Sequence, residues 1–177
     1  MELSASLESI SNDEVLNYQD KIERAQSRKT KTREFLSGLE KSDSEKLDTE
    51  FHQAHHQVFK KIDCLSCANC CKTTSPIFLM SDIERLSKAM GITVKDFMIK
   101  YLTMDEEDDF VLTSSPCPFL AEDNACLVYE HRPQACREYP HTNRKNIKEI
   151  LDLTYHNSLV CPAVGDIIDR LQTLSNE

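Results

Sequence analysis

Cys64-Leu65-Ser66-Cys67-Ala68-Asn69-Cys70-Cys71 places four thiols within eight consecutive residues, in the spacing CxxCxxCC. Two intervening residues let a tight turn aim successive sulfurs at one centre, while backbone N–H groups face those sulfurs and stabilise thiolate charge. Neighbouring residues project in different directions, so one of Cys70 and Cys71 can serve a first centre and the other a second centre or a distinct role. Four more cysteines follow at Cys117, Cys126, Cys136 and Cys161. All eight are candidate metal ligands, and eight thiols suffice for two four-sulfur sites. With 40% hydrophobic residues in 177, the chain can build a modest core, and a metal or cluster can supply stability that the core lacks.

The choice of metal stays open at this level. Cys64, Cys67 and Cys70 match the CxxCxxC part of a bacterial ferredoxin, whose remaining ligand is distant and followed by proline. Both Cys117-Pro118 and Cys161-Pro162 offer that context. Zinc also accepts four cysteines, and a CxxC pair is a usual half-site for it. The ferredoxin-like triple favours an iron–sulfur cluster, and the missing remainder of the ferredoxin spacing keeps zinc in play. Disulfides or unligated hydrophobic thiols explain so tight a cluster less well in a chain expected to occupy a reducing compartment.

Away from the cysteines the composition divides. Residues 1–62 contain no Cys and no Pro, whereas every Cys and Pro lies in 63–177. In the first region Asn12 is a plausible helix cap, and Val15, Tyr18, Ile22, Ala25, Leu36 and Leu39 recur at near-heptad spacing, interrupted at Lys29 and Thr32. Glu40 to Ser44 reads as a turn. Leu47, Phe51, Ala54, Val58 and Ile62 then form a second amphipathic face. The spacing predicts a helical hairpin or arm over 1–62, used for packing or for contact with a protein or electron-transfer partner.

The second region predicts short elements between cysteines. Ser81-Asp82-Ile83-Glu84 fits a capping box with Gly91 as the stop, and Thr93 can cap a further helix. Phe110 to Thr113 and Ala125 to Tyr129 have strand composition. Asp105 to Asp109 reads as a solvated loop. Pro133 can open a helical turn carrying Cys136, and Pro162 a helix through Ile167, Ile168, Leu171 and Leu174. The expected fold is mainly α with a few short strands, a helical hairpin followed by an irregular Cys-rich domain.

Charge and length exclude several functions. A net charge of −9 argues against nucleic acid as the main partner, because counterion release needs clustered Lys and Arg. No run of residues has the apolar length of a membrane span, and Met1 to Glu14 shows neither a basic nor an apolar leader segment. A cytoplasmic location is the expectation. With three glycines in the chain, no phosphate-cradling loop or nucleophile elbow appears.

Downstream of the first block, Cys117-Pro118-Phe119-Leu120 precedes Cys126-Leu127-Val128-Tyr129. Then come Arg132-Pro133-Gln134-Ala135-Cys136-Arg137-Glu138-Tyr139-Pro140 and Cys161-Pro162. The order CxxCxxCC, CPFL, CxxYxxRPxxCRxYP and a last Cys-Pro resembles the YkgJ-type cysteine-cluster family, described as zinc- or iron-chelating domains. The resemblance spans about Cys64 to Pro162, and all eight cysteine positions of the family's pattern have counterparts. It implies metal binding. Some relatives are labelled iron–sulfur oxidoreductases, and flagellin lysine methylases carry a similar block, so a redox or group-transfer role is a further implication.

Concentrated thiolate charge gives Arg132, Arg137 and Lys72 an electrostatic reason to stand nearby, where they can lower thiol pKa or bind an anionic group. Arg132 and Arg137 are therefore candidate residues around the bound cofactor, with a plain surface ion pair as the competing role. Tyr129 and Tyr139 can donate a phenol hydrogen bond or simply pack. His52 and His56 share a helix face at i, i+4 but lack an HExxH pattern, and read as ordinary histidines. His131 and His141 flank the Arg/Cys block more closely. The functional expectation is an iron–sulfur protein with a redox or group-transfer role, against a non-enzymatic zinc module.

Overall fold

The structure, a computed structural model, describes residues 12–175, with side chains from Tyr18 onward. The expected cap at Asn12 and the apolar position Val15 lie outside the described side chains, and Met1 to Glu8 outside the described residues. Helix α1, Asn12–Ser27, runs into α2, Lys29–Leu39, across a break at Arg28. Thr32, expected to interrupt the stripe, is instead buried on it with Ile22 and Leu36. After the turn, Asp43 caps α3, Ser44–Phe59, by accepting from the Lys46 N–H at 2.8 Å. Leu47, Phe51, Ala54 and Val58 are buried along one face of α3, with the spacing that a 3.6-residue period demands.

The chain then enters the cysteine region. Helical turns α4, Cys64–Cys67, and α5, Asn69–Thr73, carry the CxxCxxCC block. Helix α6, Met80–Met90, begins one residue earlier than Ser81-Asp82 suggested. Leu79 takes the cap position, and the Asp82 carboxylate reaches back to accept from its N–H at 3.1 Å. Gly91, at φ 68°, closes α6 in the left-handed conformation that favours glycine. Thr93 caps α7, Val94–Tyr101, accepting from the Asp96 N–H at 3.1 Å. Strands β1, Leu102–Met104, and β2, Phe110–Leu112, pair antiparallel with Leu102 opposite Leu112. This is the only sheet among the described residues.

The second expected strand does not form. Ala125 to Tyr129 contributes a single bridge, Leu120 with Cys126, and then tightens into a 3-10 turn, Tyr129–His131. Its backbone is consumed locally: Ala121 N–H donates to the Ala125 carbonyl, Leu127 N–H to Phe119, and Tyr129 N–H to Cys126. Helix α8, Gln134–Glu138, carries Cys136. A 3-10 turn at Ile147–Ile150 leads into α9, Leu151–Ser158, and α10, Pro162–Leu174, with Pro162 at its first position.

Two hydrophobic clusters result. In the first, Leu36, Leu47, Phe51, Ala54, Val58 and Ile62 pack with Ile147, Leu151, Val164, Ile167, Ile168 and Leu171. It draws on both sides of the composition break at residue 62, because α3 and α1 pack on α10, and α2 on α9. The amphipathic face of the hairpin is thereby buried within the chain; each large aliphatic or aromatic side chain so buried contributes roughly 1.5–3 kcal/mol. The second cluster joins Phe78, Ile83, Leu86, Phe97, Leu102, Leu112 and Phe119, with the Phe97 and Phe119 rings stacked at 6.1 Å. The fold is mainly α with one short sheet. No helix among the described residues is long and apolar enough to cross a membrane.

Candidate metal centre

The CxxCxxCC block is shaped by its own turns. Asp63 caps α4, accepting from the Leu65 N–H at 3.0 Å and from the Ser66 hydroxyl at 2.7 Å. Ala68 then adopts φ 46°, ending α4 and opening α5, and its methyl is buried. This left-handed residue reverses the chain between Cys67 and Cys70, so thiols on separate turns face a common region. The sequence offered no glycine to announce it.

Side-chain and backbone bonds then bring in the remaining cysteines. Asn69 Nδ2 donates to the Val160 carbonyl at 2.7 Å, tying the block to the residue before Cys161. Cys117 N–H donates to the Cys71 carbonyl at 2.8 Å, and the Ser115 hydroxyl to the Lys72 carbonyl at 2.8 Å. Asn124 Nδ2 donates to the Ser66 carbonyl at 3.2 Å, bringing the 121–126 turn alongside α4. Cys136 is placed by a clamp from α6. Buried Asp82 accepts from the Gln134 N–H at 3.2 Å and pairs with Arg85, whose guanidinium donates to the Arg132 carbonyl at 3.0 Å. Asn69, Asp82, Arg85 and Asn124 position the site, and none belongs to a metal-ligand residue type pattern that spacing could have flagged.

All eight cysteines are free thiols. Burial pushes up the thiols of Cys64, Cys67, Cys117 and Cys126, and takes Cys136 and Cys161 to about 12. Neighbouring cysteines raise most of them further. Backbone N–H groups oppose the rise: Asn69 at Cys67, Phe119 and Leu120 at Cys117, Val128 at Cys126, and Val164 and Ala163 at Cys161. Cys70 and Cys71 are hydrogen-bonded to each other, which raises Cys70 and lowers Cys71, the latter helped by Lys72. Burial therefore favours neutral thiols, and holding the cluster as thiolates would call for a compensating cation.

The surrounding groups sort themselves. The Arg132 charge lowers Cys64, Cys126 and Cys136, while its guanidinium lies 3.8 Å over the Tyr129 ring. Arg137 turns elsewhere, 3.9 Å from Asp82. Tyr139 is mostly buried, and its hydroxyl, which has no hydrogen-bond partner among the described residues, lies near Cys161, Cys70 and Cys67. Burial and those thiols push the phenol well above its ordinary range. The orphaned hydroxyl leaves a buried donor beside those thiols. His52 and His55 serve the scaffold, bonding the Arg144 carbonyl at 2.9 Å and the Thr142 hydroxyl at 2.8 Å. Glu138 lies 4.0 Å from His141.

Among the described residues, which include every cysteine, no three of the eight sulfurs lie within 4.8 Å of one another. The three-ligand grouping that does fall within 4.8 Å is Asp105, Glu107 and Asp109, an exposed loop in which the Asp105 carboxylate accepts from the Glu107 and Asp109 N–H groups.

A helical scaffold that converges eight thiols, with N–H groups and cations around them, defines a thiolate metal-chelating protein. A family model agrees: CxxCxxCC, described as "Putative zinc- or iron-chelating domain", matches residues 63–157, and the chain belongs to that family. Cys161 lies just beyond the matched segment. Neither the comparison with curated proteins nor that with solved structures gives a match.

Proposed function

We propose that this chain is an iron–sulfur protein that carries electrons. The observation behind the reading is the donor set: eight free thiols, with Cys64, Cys67 and Cys70 in CxxCxxC spacing and a distant Cys161-Pro162 in ferredoxin-like order. When bound, a cluster supplies a one-electron couple. Its ligands are drawn from Cys64, Cys67, Cys70, Cys71, Cys117, Cys126, Cys136 and Cys161. Backbone N–H groups, Lys72 and Arg132 offset thiolate charge, and the Tyr139 hydroxyl supplies a donor toward sulfur. Full closure by four thiolates leaves no coordination position for a substrate, which favours electron transfer over group transfer.

The test is anaerobic purification of untagged protein, followed by iron, zinc and acid-labile sulfide counts and a visible spectrum before and after dithionite. Stoichiometric iron and sulfide with a bleachable broad absorption supports the reading. Zinc without sulfide overturns it in favour of a structural zinc module, and a cluster that cannot be reversibly reduced overturns the electron-carrying role.

A further inference from the structure

The geometry points to two metal centres divided at the Cys70–Cys71 peptide bond: Cys64, Cys67, Cys70 and Cys161 hold the first, and Cys71, Cys117, Cys126 and Cys136 the second. This partition rests on the thiolate-metal reading above but not on which metal is bound. Three kinds of observation support it.

Packing is the first. Cys161 is a member of the α3/α9/α10 cluster, which also takes in Ile62, just ahead of the block, and Tyr139. Cys117 packs against the other cluster, together with Val128, which follows Cys126 by two residues. The two hydrophobic clusters therefore present their cysteines from different sides of the CxxCxxCC segment.

Tethering is the second. Asn69 fastens the block to Val160, and so brings Cys70 beside Cys161. On the other side of the Cys70–Cys71 bond, Cys117 N–H is fastened to the Cys71 carbonyl. The Asp82–Arg85 clamp delivers Cys136 to the same side.

Sequence order is the third. The first set has the order CxxCxxC plus a distant Cys-Pro, with Cys161 lying beyond the family match.

The experiment compares double serine variants of the full chain, isolated anaerobically and reconstituted with ferrous iron and sulfide. Cys67→Ser with Cys161→Ser removes two ligands of one set, Cys126→Ser with Cys136→Ser two of the other, and Cys67→Ser with Cys126→Ser one of each. Each within-set pair is expected to keep half the iron and sulfide of the unaltered chain, and the cross-set pair almost none. Equal loss in all three overturns the partition. Because a variant can fail to fold, the reduced unaltered chain provides a second measurement. Two centres joined through adjacent cysteines give an electron paramagnetic resonance spectrum split by spin–spin coupling, and an unsplit single-centre spectrum at full reduction overturns the proposal. If the unaltered chain holds zinc without sulfide, the iron–sulfur reading fails, and the same comparison of zinc content decides the partition separately.

Discussion

The two thiol sets rest on unlike foundations. Cys161 precedes a long helix whose apolar face is sunk in the larger core, and it is itself buried there. Cys117 and Cys126 sit on turns with little regular structure between them, and Cys136 on a five-residue helix held by the Asp82–Arg85 clamp. The contrast teaches that Cys161 can be positioned by hydrophobic packing formed without metal, while Cys126 and Cys136 depend on polar ties and on the metal. Stripping the metal with a chelator under reducing conditions should therefore have the largest effect. Amide exchange across residues 115–131 is expected to accelerate by roughly a hundredfold or more, with α3 and α10 little changed, as read by hydrogen–deuterium exchange. Uniform acceleration would erase the distinction.

Asp82→Ala attacks the second foundation alone. It leaves the Arg85 guanidinium beside carbonyls with no carboxylate and frees the Gln134 N–H. A loss of about 3 kcal/mol in denaturant unfolding is expected, the scale for breaking a buried pair from one side. Metal bound through Cys136 should be lost before metal bound through Cys161. Tyr139→Phe sharpens the comparison from the other side, since the hydroxyl lies near Cys161, Cys70 and Cys67. Removing a donor worth about 1 kcal/mol should lower that centre's one-electron potential by about 40 mV at unchanged metal content, measured by spectroscopic titration. A shift in both centres would place the phenol at the seam.

The smallest effect concerns pH and the larger core. Burial, followed by His56 and His52, lowers the His55 pKa from its ordinary 6.5. The folded state thus prefers neutral imidazole, and the unfolded chain takes up the proton first as pH falls. Stability from this group is fully present above about 6.5 and is lost as pH drops through the folded value. His55→Gln is expected to show a smaller decline in melting temperature than the unaltered chain between about pH 7.5 and about pH 5. Equal declines would remove His55 from the account.

Much of this architecture was readable from residues close in the chain. The turn at Glu40 to Ser44, the stop at Gly91, the cap at Thr93 and the helix opened by Pro162 are local devices, and each appears where its chemistry called for it. What escaped were effects decided by distant partners. Ala125 to Tyr129 has strand composition, but no neighbouring strand is offered and its carbonyls and N–H groups close on themselves. Asp82 looks like a helix-start residue and also serves as the buried anchor for α8. Tyr139 could equally have been a packing aromatic; only the missing partner of its hydroxyl marks it out.

The notation CxxCxxCC treats four spacer positions as interchangeable, and the structure ranks them. Ser66 is buried with its hydroxyl on Asp63, Ala68 must be small and left-handed, and Asn69 reaches Val160. Leu65 alone is exposed, at 43%. Random mutagenesis of the segment should consequently recover broad diversity at one position and narrow repertoires at the other three, giving the motif a hidden alphabet beyond its cysteines.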